Sequence, residues 1–102
     1  MTYYFYAKEF TLSELSFSTL QLKPELIQNL DSMGYQQMTD IQAQSLPTII
    51  SGGDVIAQGK TGSGKTAAFG LGVLEKLEVK RFRIQSLILC PTRELADQVA
   101  KE

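Results

Sequence analysis

Apolar positions recur at helical spacing in the first half of the chain and gather into short runs in the second. Behind Pro24, Leu26, Ile27 and Leu30 share one helical face. Proline suits the first turn of a helix and Gly34 suits its end, so the spacing predicts a helix from 24 to about 33. Thr39 with Gln42 three residues on is a capping-box pattern that opens a second helix. That helix runs to the Ser51-Gly52-Gly53 turn. A kink or break is expected near Pro47, which has no N–H to donate.

Asp54-Val55-Ile56-Ala57-Gln58 predicts a short buried strand. A glycine-rich loop follows, then a helix from Lys65 to about Leu77. Gly70 and Gly72 inside it each cost roughly 1 kcal/mol against alanine, so close packing is expected at both. Lys80 to Arg83 reads as a charged loop. Ser86-Leu87-Ile88-Leu89-Cys90 reads as a second buried strand stopped by Pro91, and Thr92 caps a last helix. Strand, helix, strand, helix implies an α/β layer with a parallel sheet and flanking helices.

Composition adds mainly exclusions. Across 102 residues, 43% are hydrophobic and 21% charged, ordinary for a globular protein and enough for one small domain. Net charge is −1, so any contact with a polyanion must be local. With one cysteine and no histidine, an internal disulfide, a Cys/His zinc site and a histidine base are excluded. No apolar stretch approaches the length of a membrane span, and Met1 to Phe10 lacks the pattern of a signal peptide. A cytoplasmic location without membrane contact is therefore expected; oligomeric state is not readable.

The strongest chemical signal is Gly59-Lys60-Thr61-Gly62-Ser63-Gly64-Lys65-Thr66, a full match to G-x-x-x-x-G-K-[ST]. Glycines let backbone N–H groups converge on a phosphate without side-chain clash. The helix starting at Lys65 presents its positive dipole end to the same anion. The Lys65 ammonium suits the outer phosphates, and the Thr66 hydroxyl suits Mg²⁺. The pattern names neither the base nor the reaction.

Gly34-Tyr35-Gln36-Gln37-Met38-Thr39-Asp40-Ile41-Gln42 resembles the Q motif of DEAD-box RNA helicases, and Phe17 stands where that family has an isolated aromatic. Pro91-Thr92-Arg93-Glu94-Leu95-Ala96 resembles the family's motif Ia. With the phosphate loop, three motifs stand in family order from about Leu15 to the chain end, nearest to the bacterial DbpA-type branch. The family usually has proline at Met38 and Asp40 and alanine at Gly59. These departures touch loop rigidity and remove no functional group.

The resemblance implies a leader over 1–14, a Q-motif region over 15–43 and the start of a RecA-like ATP-binding domain over 44–102. It implies ATP and Mg²⁺ as cofactors and RNA as partner, ribosomal RNA in the DbpA-type branch, with RNA-dependent ATP hydrolysis coupled to duplex separation and a place in ribosome assembly. Gln42 would read adenine and Phe17 would stack on it. Pro91, Thr92, Arg93 and Glu94 would seat an RNA phosphate. Each residue also has a plainer reading: Gln42 as the capping partner of Thr39, Phe17 as a core aromatic, Arg93 as a solvated cation, Cys90 as a small buried residue, and Lys80, Arg81 and Arg83 as a solvated face with RNA steering as the alternative.

The family's acidic strand-end motif and second RecA-like domain have no counterpart in these residues. The expectation is that this chain alone hydrolyses little ATP, is marginally stable, and belongs to a larger enzyme. The alternative is a nucleotide-binding or interaction piece without catalysis.

Overall fold

The computed structural model describes Thr2–Tyr3 and residues 15–102; most of the expected 1–14 leader, and its boundary, lie outside the described residues. Pro24 occupies the first turn of α1 (Pro24–Ser32), as its fixed φ favours. Two hydrogen bonds close the other end, Tyr35 N–H to Leu30 O (2.8 Å) and Gly34 N–H to Asp31 O (3.0 Å). α2 (Asp40–Ile50) starts at Thr39 as expected and continues unbroken through Pro47. Only three residues of helix follow the proline. Gly52, at φ 93°, turns the chain out of α2 into β2 (Asp54–Val55).

β2 is shorter than the expected strand. It pairs in parallel with β1 (Thr2–Tyr3), in the register Thr2 to Asp54 and Tyr3 to Val55, a partner that the sequence pattern does not announce. Ile56, Ala57 and Gln58 leave the ladder and are exposed. The expected strand over 86–90 does not form, and Leu87 and Leu89 are 78% and 83% exposed. A strand exists only through ladder bonds to a neighbour, and none of the described residues offers one there. Cys90 is accordingly half-buried rather than buried.

The core lies between α2 and α3 (Lys65–Lys76), closed on one side by the turn at Phe17–Thr19. Phe17, Met38, Ala43, Leu46, Ala68 and Leu71 fill it. Gly72 is buried where α3 meets α2, and a Cβ there would overlap the Ile49 Cγ2 methyl. Nothing lies within 4 Å of a Cβ added at Gly70, so the expected close packing holds at one glycine and not the other. Lys23 links α1 to the far end of α3: its N–H donates to Glu75 Oε2 (2.8 Å) and its ammonium to Leu77 O (3.0 Å). α4 (Arg93–Lys101) begins at Thr92, whose Oγ1 accepts from Leu95 N–H (3.1 Å), and buries no residue. Among the described residues no helix is long and apolar enough to cross a membrane.

Candidate nucleotide site

The glycine-rich loop over 59–64 joins β2 to α3, with Gly64 as the N-cap at φ 91° and Gly62 at φ 82°. Gly64 is required twice over. Its backbone lies in the left-handed region, and an added Cβ would stand 2.5 Å from Gln42 Nε2 and 3.0 Å from Thr39 Oγ1. Ser63 N–H donates to Lys60 O (3.1 Å), and the Lys65 ammonium reaches back to Gly59 O. Lys65 and Thr66 stand half-buried in the first turn of α3, and Lys60 and Thr61 are exposed.

The start of α2 is laced to this loop. Thr39 N–H donates to Gln42 Oε1 (3.0 Å), the half of the capping box that places the Gln42 amide. Gln42 Nε2 donates to Gly64 O (3.1 Å), and the Thr39 hydroxyl donates to Ser63 O (2.7 Å). The residues suggested by the Q-motif likeness and by the phosphate-loop pattern therefore form one connected unit. The two contacts to Ser63 and Gly64 span 24 and 22 residues of sequence, so no local pattern could have announced them.

Gln42 is 5% exposed, and the orientation of its amide follows from its partners: a donor faces Oε1 and an acceptor faces Nε2. Each atom keeps one further valence, a lone pair on Oε1 and an N–H on Nε2. An adjacent donor–acceptor pair of that sense complements the N6 amino group and N7 of adenine, and mismatches the O6 and N7 acceptors of guanine. Cap and base reader, offered by the sequence as alternatives, are compatible roles.

A polyphosphate and its cation suit this loop on one further observation. The Ser63 hydroxyl is buried and has no hydrogen-bond partner among the described residues, inside a turn whose pattern is made for anionic oxygens. Among the described residues no group of three or more Asp, Glu, Cys or His side chains converges. Among the described residues, the Thr66 hydroxyl is the group that would face a cation bound with the phosphates.

Five of the candidate residues lie elsewhere. Phe17 is 3% exposed and serves the core, where Phe17 N–H donates to Gln36 O (3.2 Å) and Met38 N–H to Leu15 O (2.6 Å). Met38, at one of the positions where the family pattern has proline, is also a core residue. Pro91, Thr92, Arg93 and Glu94 are exposed at the N-terminus of α4, and that helix stands apart from the α2–α3 core.

A family profile described as DEAD/DEAH box helicase matches residues 39–102. The chain is 58% identical over 88 residues to ATP-dependent RNA helicase DbpA of Escherichia coli, covering 85% of this chain and 19% of that protein. It is 45% identical over 87 residues to DEAD-box ATP-dependent RNA helicase CshA of Bacillus cereus, covering 85% and 17%. A solved DEAD box protein from Methanococcus jannaschii superposes with a TM-score of 0.78 at 37% identity, over 84% of this chain and 24% of that one. The chain thus spans about a fifth of the length of the curated relatives it matches.

Proposed function

Because the chain belongs to the DEAD/DEAH box helicase family and its fold is an incomplete part of a RecA-like α/β domain, we infer that it is the ATP-binding segment of an ATP-dependent RNA helicase. The observation that carries this reading is the bond from Gln42 to Gly64. It ties the amide that would read the base to the turn that suits the phosphates, which supports one connected site for both ends of a nucleotide.

In this reading residues 15–43 form the Q-motif region and 44–102 begin the RecA-like domain. Gln42 selects adenine through its two spare valences. Gly59, Lys60, Thr61, Gly62, Ser63 and Gly64 turn backbone N–H groups toward the phosphates, and Lys65 exchanges its bond to Gly59 O for the outer phosphate oxygens. Thr66 ligates Mg²⁺. A cation held there would supply charge neutralisation to the phosphates. Phe17 would stack on the base only after its ring face is uncovered from the core.

Thr92 takes the Leu95 N–H, and the exposed Arg93 at the start of α4, flanked by Pro91 and Glu94, would seat an RNA phosphate. Such contacts position the strand without reading its sequence. Hydrolysis coupled to duplex separation is the activity inferred for the whole protein, by likeness to relatives named as ATP-dependent RNA helicases. The DbpA likeness makes ribosomal RNA and ribosome assembly in the cytoplasm the inferred setting.

The test is a titration of the chain with Mg·ATP and Mg·GTP by calorimetry. ATP is expected to bind more tightly, and Lys65→Ala is expected to abolish binding of both. Equal affinities would remove the adenine-reading role, and unchanged binding by Lys65→Ala would place the phosphates elsewhere.

A further inference from the structure

The loop between α3 and the Leu87 segment is ordered by one side chain. Gln85 Oε1 accepts from Glu78 N–H (2.9 Å), while its Nε2 donates to Glu78 O (2.9 Å) and to Arg81 O (3.0 Å). The Gln85 amide thereby clamps both backbone groups of Glu78. Arg81 N–H donates to Glu78 O and Arg83 N–H to Arg81 O, both at 2.9 Å. The residues between are held in a tight closed turn rather than left as an open coil.

At its tip the Phe82 ring is 100% exposed. Lys80, Arg81 and Arg83 flank it in sequence, so three of the ten basic residues in the chain stand within four positions. Glu78 Oε2 pairs with Arg81 Nε (2.5 Å), whereas Lys80 and Arg83 have no ion-pair partner among the described residues. Arg81, Phe82 and Arg83 line an open hollow that shares no residue with the phosphate loop.

We propose that this turn is a single-stranded RNA contact, with Phe82 stacking on a base and Lys80 and Arg83 engaging the flanking phosphates. An aromatic face with unpaired cations beside it is the pairing by which proteins hold single strands without reading sequence. An acidic protein partner would use the cations and leave the ring without a role. In a chain of net charge −1, such a local cluster is also where polyanion binding has to arise. The contact shares no residue with the phosphate loop or the Arg93 seat, and it does not depend on nucleotide.

The experiment is fluorescence anisotropy of a labelled uridine dodecamer with the 102-residue chain at several salt concentrations. Phe82→Ala is expected to weaken binding about five-fold or more, the lower range for one stacked base, while Phe82→Trp retains it. Replacing both Lys80 and Arg83 by alanine should lower the slope of log affinity against log salt by about 1.4, or about 0.7 for each phosphate no longer neutralised. A dodecamer of abasic sugar-phosphate should bind more weakly, and Phe82→Ala should not change it further.

The proposal is overturned if the chain ignores the uridine strand, if Phe82→Ala stays within two-fold of the parent, or if the abasic strand binds equally well. Arg93→Ala separates this contact from the helix-terminus seat. Weakening by Arg93→Ala with Phe82→Ala silent would leave only that seat, and the reverse pattern would leave only this turn. Phe82 is fully exposed, so its replacement tests binding rather than folding.

Discussion

Gln42 Nε2 donates to the carbonyl oxygen of Gly64 across 3.1 Å, joining the first turn of one helix to the N-cap of the next. The bond orients a buried amide and also fixes where the phosphate loop ends, so a change at either residue is felt by both.

Replacing Gln42 by alanine removes both of its bonds and leaves the Thr39 N–H without its partner. The expected stability loss is about 0.5–1.5 kcal/mol, the net worth of part-buried hydrogen bonds whose freed partners can reach water. Any preference for ATP over GTP should vanish together with it. A preserved preference in a folded variant, read by calorimetry, would show that another group reads the base.

Gly64→Ala is expected to be worse for the site than for the core. The left-handed φ of 91° and the 2.5 Å approach to Gln42 Nε2 both oppose a Cβ. Strain of this kind costs about 1–3 kcal/mol. The loop can relieve it only by parting from α2, so nucleotide affinity should fall more than the melting midpoint does. Thermal denaturation and nucleotide titration on the same variant would reveal the reverse ordering if the loop is not the weak point.

The two glycines inside α3 should answer oppositely to alanine. Gly70→Ala meets nothing within 4 Å and is expected to stabilise by about 0.5–1 kcal/mol through helix propensity. Gly72→Ala drives a methyl into Ile49 and is expected to destabilise by about 1–3 kcal/mol. Adding Ile49→Ala to Gly72→Ala should cost less than the sum of the two single changes. Urea denaturation of the four proteins gives the coupling directly, and additive effects would rule out the contact.

Leu87 and Leu89 are exposed in a chargeless run of strand-forming residues, Ile84 to Cys90. Such a run self-associates when nothing covers it. Replacing both leucines by lysine should raise the concentration at which the chain remains monomeric in sedimentation experiments. An unchanged threshold would place the association elsewhere.

The helices were legible in the sequence because what defines them is local. Pro24 and Gly34 bracket α1, Thr39 opens α2, Gly64 and Lys65 open α3, and Thr92 opens α4. Each signal acts within a turn or two of chain, where backbone geometry and a single side chain decide the outcome. The glycine-rich turn over 59–64 was legible as a loop for the same reason, since its residues are contiguous.

Tertiary structure alone decided the rest. The run at 86–90 has strand-forming residues but no ladder, because inter-strand bonds need a partner that composition cannot supply. Phe17 went to the core, and Gly70 and Gly72, identical in one helix, differ because only one of them faces Ile49. The lacing of Thr39 and Gln42 to Ser63 and Gly64 likewise required the chain to fold back on itself. Local sequence determined which segments could become helix or loop. Contacts distant along the chain determined which side chains met, because burial and hydrogen bonding depend on neighbours in space.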